Sequence, residues 1–394
     1  MKKSILGIGV LALMAFTVWW LRDAPLDDTA RQWLDTTPND DNPAYGYLLG
    51  FGVPATQSPA QQGHELAQRQ KVHPELVLPN AYPKLNNTPL LCHPMTAACL
   101  LEQQEKKAQA KALISRYQFL IDRYQTFLEF SYFSDNTPPR LNATFPEYNL
   151  LVCASRLQSL AWANSAAPGP ALLTEIQQLR QWLAQDHSLI SKMVANAILA
   201  EKLQLVALLV QQKAMPAPVL TPLTSAEKSF HSPMKKEFTL MAHFFLEEQY
   251  REGNQQATWT EKLQLKAGLK KHISVNRMLP LYQHYAKLAG QPADVIQADN
   301  IQPARATTGQ AIRNPIGNVL LETATPDFKR YLFRLVHLDA RLALLNQLEN
   351  TKKDSPVSNP WTPGKDDTLT RQDQQLCFRH APDNDRYSAC LPLL

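Results

Sequence analysis

Apolar and polar positions divide the chain into a charge-free run, a proline-broken stretch, several helical windows and a tail with strand character. Residues 5–21, ILGIGVLALMAFTVWWL, carry no charge. As a helix they rise about 25 Å, enough for a short bilayer span. Ten of the 29 prolines fall between residues 25 and 94, which predicts an irregular arm with only short helices. Proline-free windows follow at 95–137, 171–215, 234–279 and 327–355. In the first, Ala110, Leu113, Ile114, Tyr117, Leu120, Ile121, Tyr124 and Phe127 keep the i, i+3, i+4 spacing of one continuous helical face. In the second, Leu183, His187, Ile190, Val194, Ala197 and Glu201 share a stripe. One straight helix there would carry an inward His and an inward Glu about 20 Å apart.

Residues 147–164 read as a further helix, closed by Pro168-Gly169-Pro170. In the tail, QQLCFRH (374–380) and RYSACLPLL (386–394) flank the turn-rich APDND, which predicts a hairpin. No fixed-period repeat occurs, so solenoids are not supported. The expected fold is mainly α. It comprises an N-terminal anchor (1–22), an acidic tether and proline-rich arm (23–94), a single helical-bundle-like domain (95–355) and a small C-terminal β-hairpin flap (356–394).

The flanks of the apolar run refine this picture. It ends in Trp19, Trp20 and Leu21, side chains that suit a membrane interface better than a cleavage site. An uncleaved anchor is therefore expected, with a cleaved signal as the alternative. Lys2 and Lys3 precede the run, whereas Asp23, Asp27, Asp28, Asp35, Asp40 and Asp41 dominate the segment behind it. The expectation is a single-pass protein of a bacterial inner membrane, held through residues 5–21, with the bulk of the chain in the periplasm. A second apolar run, 194–210, carries Glu201 and Lys202 at its centre and does not read as a span.

The formal net charge is +5, but without Lys2, Lys3 and Arg22 it is 37 bases against 35 acids, which makes no case for nucleic acid. Five cysteines fit an oxidising compartment. Cys92 with Cys99 and Cys377 with Cys390 bracket short loops, leaving Cys153 over. Zinc is the rival use, but no C-x-x-C occurs and His93 and His380 stand alone.

G-x-S-x-G, H-E-x-x-H and the P-loop pattern are absent. The weak catalytic candidates are His187, Glu201, His243 and Glu247. Only the last two, at i and i+4, share a helical face. No third metal ligand accompanies them, and no cofactor is expected. Lys262, Lys266 and Lys270 form a basic stripe that reads as a solvated face. Two turn-rich patches remain. Asn42-Pro43 starts a short helix whose Tyr45, Tyr47 and Phe51 form a docking patch, and Asn314-Pro315 with Gly317 forms a second cap-and-turn, with a ligand or partner loop as its alternative role. Tyr45 and Phe51 are expected to clamp the arm to the body, with partner binding as the lesser role. The leading functional expectation is a non-catalytic protein-binding or immunity-type factor of the envelope. The competing one is an envelope hydrolase, which a pocket collecting two of the four catalytic candidates would favour.

Overall fold

The computed structural model describes the chain except residues 1, 36–41, 83–84, 86–87, 248–257, 261–266, 303, 324–325, 349–356, 363, 365 and 381–388. Asp40, Asp41, Lys262, Lys266 and the APDND turn therefore lie outside the described residues. The fold is mainly α, with a small antiparallel sheet at the C-terminus.

The helix α1 (Lys2–Leu21) is followed by α2 (Asp28–Leu34), α3 (Pro43–Leu49) and α4 (Pro59–Gln70), the short helices that proline spacing predicts. The Asn42 side chain accepts from Tyr45 N, Pro43 occupies the first turn and Gly50 follows the last residue of α3. The glycines of this patch serve packing. Gly46 and Gly50, four apart, face Gly63 of α4, and a Cβ at Gly63 would overlap the Gly46 carbonyl. Backbone meets backbone there, which only glycine permits. Behind this pair, the Arg123 guanidinium donates to four carbonyls of the following turn, at Phe51 (2.9 Å), Val53 (2.6 Å), Pro54 (3.0 Å) and Gln57 (3.1 Å). Tyr45, Tyr47, Leu48 and Phe51 are buried. The arm is thus bound to the body by an apolar face and by one cation satisfying a loop.

The first long window is not one helix. It breaks at Lys106 and Tyr117 into α5 (Ala97–Glu105), α6 (Lys107–Arg116) and α7 (Gln118–Leu128). Tyr117 leaves helical geometry to pack edge-on against Tyr82 of the arm, a tertiary contact that periodicity does not encode. The second window also divides. After α8 (Tyr148–Ala163) come α9 (Gly169–Leu183) and α10 (Leu189–Gln211). Ser188 caps α10 through Ser191 N, so His187 sits in the turn before the helix and the single 183–201 stripe does not exist.

Helix α10 is the axis of the fold. It packs against α5, α8, α9 and the C-terminal sheet. By length and by a mean hydropathy of 1.7 it could cross a membrane, yet 83% of that window is buried inside the protein. A helix apolar on all sides is buried somewhere, and here the protein itself covers it. Its charges are matched: Lys202 Nζ reaches Glu175 (2.7 Å), Ser155 O (2.7 Å) and Ser159 Oγ (2.8 Å).

Beyond α10 lie α11 (Ser225–Lys228), α12 (His231–Leu246), α13 (Lys271–Leu288), α14 (Ala293–Ala298), α15 (Thr308–Arg313), α16 (Pro315–Thr323) and α17 (Lys329–Leu345). Pro280 lies inside α13. The segment after α1 is no free tether. Asp23 accepts from His272 N (2.9 Å) and Ile273 N (3.3 Å), capping α13, and Asn276 bonds Pro25 O and Asp27 N. Asp23 serves α13 because a helix N-terminus presents unpaired N–H groups.

The tail forms β1 (Val357–Ser358) paired with β2 (Asp366–Asp367), and a three-stranded sheet of β3 (Leu369–Gln372), β4 (Gln375–Phe378) and β5 (Leu391–Pro392). The expected β4–β5 pairing is present, and Cys377–Cys390 bridges those two segments. The β3–β4 hairpin is an addition to the expected tail: its turn, Asp373-Gln374, places both residues at positive φ without glycine. Cys92–Cys99 forms the second bridge, and Cys153 is buried outside both.

Candidate functional site

A groove of about 1260 Å³ opens between the arm and α12. Its walls are α3, α4, the 132–145 segment, the turn before α10 and one face of α12. Along α12, Ser232, Lys236, Leu240, His243 and Glu247 all face it, following the helical repeat.

Two carboxylates hold the walls together. Asp135 accepts from Thr137 N (3.1 Å), Thr137 Oγ1 (2.6 Å), Tyr148 OH (3.0 Å) and Ser188 Oγ. Burial opposes its charge, but Lys236 and the bonds from Ser188 and Thr137 outweigh this and hold its carboxyl below the ordinary value. Asp186 accepts from Ser134 Oγ, Ser232 Oγ and Lys236 Nζ (3.1 Å). Lys236 also donates to Asp135 O (2.7 Å) and lies 3.4 Å from Ser134 Oγ. That proximity does not make a Ser-Lys dyad. Lys236 donates to Asp186 and Asp135 and offers Ser134 no lone pair, and Ser134 already donates its proton to the Asp186 carboxylate. The cluster reads as a rivet joining α3, the 134–137 segment, the α9–α10 turn and α12, since Asn42 Nδ2 donates to Ser134 O as well.

Glu237 is the exception. It lines the groove, is half-buried, and among the described residues has no hydrogen-bond or ion-pair partner. Burial, reinforced by the charge of Asp135, pushes its carboxyl up to about 7. A carboxyl poised there suits general acid–base work.

Of the predicted candidates, His243 and Glu247 do meet in the groove, His243 Nδ1 lying 2.9 Å from Glu247 Oε1. Arg140 Nε lies 3.5 Å from the same oxygen, so the pair is an ion-pair terminus rather than an open ligand set. No group of three His, Cys, Asp or Glu able to hold a metal occurs among the described residues. His187 lies beneath the groove, fully buried, its ring contacting Phe133 and Trp182. Its Nε2 donates to Trp182 O and Ser191 Oγ meets Nδ1 at 2.9 Å; burial, with Lys192 nearby, lowers it to about 3. A neutral, locked imidazole of this kind is structural. Glu201 is elsewhere, held by Arg156 (3.0 and 2.7 Å) and by His93 (2.7 Å) of the Cys92–Cys99 loop.

In the docking patch, Tyr45 lines the groove while Tyr47 and Phe51 are packed into the body. Asn314 is fully buried and takes no part in the groove. Its Oδ1 accepts from Lys270 N (2.7 Å), its Nδ2 donates to Ser274 Oγ (3.0 Å), and Gly317 leaves the room for this contact. Sequence reasoning passes over Asp135, Asp186, Lys236 and Glu237. The available signals are the polar, turn-rich SDNTPPR at 134–140 and the i, i+4 polar pair Ser232 and Lys236. No protein-family model, curated protein or solved structure matches this chain.

Proposed function

We propose that this chain is an inner-membrane-anchored protein of the bacterial envelope whose groove binds an extended peptide segment of a partner. The groove carries the reading. At about 1260 Å³ it exceeds the ~300–1,000 Å³ of small-molecule pockets. Apolar walls from Leu34, Tyr132, Leu141, Phe145 and Leu240 alternate with Glu65, Lys235, Glu237 and Glu247. An acyl chain has no use for those charges and a polyanion would be repelled by the carboxylates. A peptide offers apolar side chains and polar groups in alternation.

Anchoring is supported by α1, a 20-residue helix whose large side chains from Leu13 to Leu21 stand exposed. An apolar helix uncovered by its own protein needs another apolar medium. The two disulfides favour an exported location. A second reading, hydrolysis of the bound chain, is supported by the groove collecting His243 and Glu247, two of the four catalytic candidates, and by Glu237 with its carboxyl raised to about 7.

The test is photo-cross-linking in cells from the full chain, with the reactive residue at Leu141 on the groove rim or at the exposed Val219, which does not line the groove. Discrete protein adducts at Leu141 and none at Val219 are expected. No adduct at Leu141, or the same adducts at both positions, overturns peptide binding. Accumulation of the Leu141 adduct in Glu237→Gln would move the assignment to hydrolysis.

A further inference from the structure

Helices α15 and α16 carry branched aliphatic side chains on their outward side. On α16, and at Asn314 just before it, the buried side is Asn314, Gly317, Asn318 and Leu321, the first three packed against Ser274 and Arg277 of α13. The outward side carries Ile312 (49% exposed), Ile316 (36%) and Val319 (60%), with Ala311 and Pro315 between them. Branched aliphatics outside, over an inner flank that is polar apart from Leu321, is an arrangement water selects against.

The neighbour of this face is the end of α1. Arg313 lies over the Trp19 ring at 4.9 Å and donates to the carbonyl of Arg22, and Gly309 packs beside Trp19. Asp23 then caps α13, so the exit of α1 is fixed to the body within a few residues. Tryptophan and arginine at the end of an apolar helix mark the headgroup level of a bilayer. Whatever contacts Trp19 sits at that level too.

We infer that α15 and α16 form a membrane-contact foot, with Ile312, Ile316 and Val319 resting at the headgroup–acyl boundary of the bilayer that α1 spans. This rests on the anchor reading of α1. Three exposed aliphatic side chains entering the interface bring the apolar burial that the protein itself does not supply, and Arg22 and Arg313 face anionic headgroups. The consequence is orientation: the groove is held at a set height and direction above the membrane rather than swinging on a tether.

The experiment uses the full chain reconstituted into vesicles of phosphatidylethanolamine and phosphatidylglycerol. Native thiols are bridged or buried, so one environment-sensitive fluorophore can be placed at Val319→Cys, Ile312→Cys or Trp20→Cys. Lipids bearing a shallow nitroxide then report contact. Blue-shifted emission and quenching at all three positions is the expected result. A Trp20 probe that is quenched beside water-like probes at Val319 and Ile312 overturns the foot and leaves the anchor standing. Water-like emission at all three overturns both. Probes at Val319 and Ile312 that are shielded from water yet unquenched would mean that protein covers the face, and would also overturn the foot.

Discussion

Asn42-Pro43 and Asn314-Pro315 begin short helices with the same local chemistry and finish in opposite surroundings. In both, an asparagine stands before a proline in the first turn, and a glycine and aliphatics follow. The first helix is buried from Ala44 to Leu49 against α4 and α7. The second buries Gly317, Asn318 and Leu321 and leaves Ile316 and Val319 outside. Local chemistry sets where a helix starts; what lies opposite decides which face is hidden. The arm helix met a glycine-lined partner and a cation, Arg123, with donors to share. The other met the polar flank of α13 beside the end of α1.

Substitutions at the two sites should separate most widely in size of effect. Phe51→Ala should destabilise detergent-solubilised protein by about 3–5 kcal/mol in urea unfolding, because a fully buried ring is removed. Ile316→Ala, on the exposed face, should stay within about 0.5 kcal/mol in the same assay. Equal effects would dissolve the contrast. Arg123→Ala should cost about 3 kcal/mol, since four carbonyls of residues 51–57 lose one charged donor together. A loss under about 1 kcal/mol would show that the apolar face alone holds the arm.

Glu237 sharpens the comparison through pH. Its folded-state carboxyl is raised from 4.5 to about 7, so its protonated form stabilises the fold below about pH 4.5 and that contribution is lost as pH rises to about 7. His187 and His337, lowered to about 3 by burial, act oppositely: their contribution is present above about pH 6.5 and lost as pH falls toward 3. Between pH 4.5 and 6.5 the two histidines outweigh the one carboxyl. These three groups should therefore raise wild-type stability with pH by about 1.4 kcal/mol per unit. Glu237→Gln should steepen that rise by up to about 3 kcal/mol across the window, with the variant gaining relative to wild type as pH increases. Parallel profiles would remove Glu237 as a titrating groove residue.

Smaller effects are expected at the caps. Asn314→Ala should cost about 1–2 kcal/mol by stranding Lys270 N, and Asn42→Ala a similar amount, with a loosened groove wall at Ser134 as its added signature. Hydrogen exchange at residues 133–137 that rises in Asn42→Ala but not in Asn314→Ala would distinguish them.

Much of this fold is legible in the sequence because its signals are local. Proline spacing, the Asn-Pro starts, the i, i+4 meeting of His243 with Glu247, and two short cysteine loops each depend on a few neighbouring residues. The groove is only half legible. His243 and Glu247 belong to it, but Glu201 lies 14 positions from His187 and in a different ion-pair cluster, because the chain breaks at 184–188.

The sequence by itself determined that the chain is mainly helical, where its short helices begin, and which cysteines can pair, since backbone geometry and loop closure are properties of adjacent residues. Only the tertiary structure decided that Asp135 and Asp186 serve as rivets while Glu237 is left open. It also decided that Asp23 after α1 caps α13, and that α16 turns Ile316 and Val319 outward. Each of these depends on partners far away along the chain, up to about 250 residues in the case of Asp23 and His272. Burial and hydrogen bonding between such partners offset the entropy of closing those long loops only when the whole chain has folded around them.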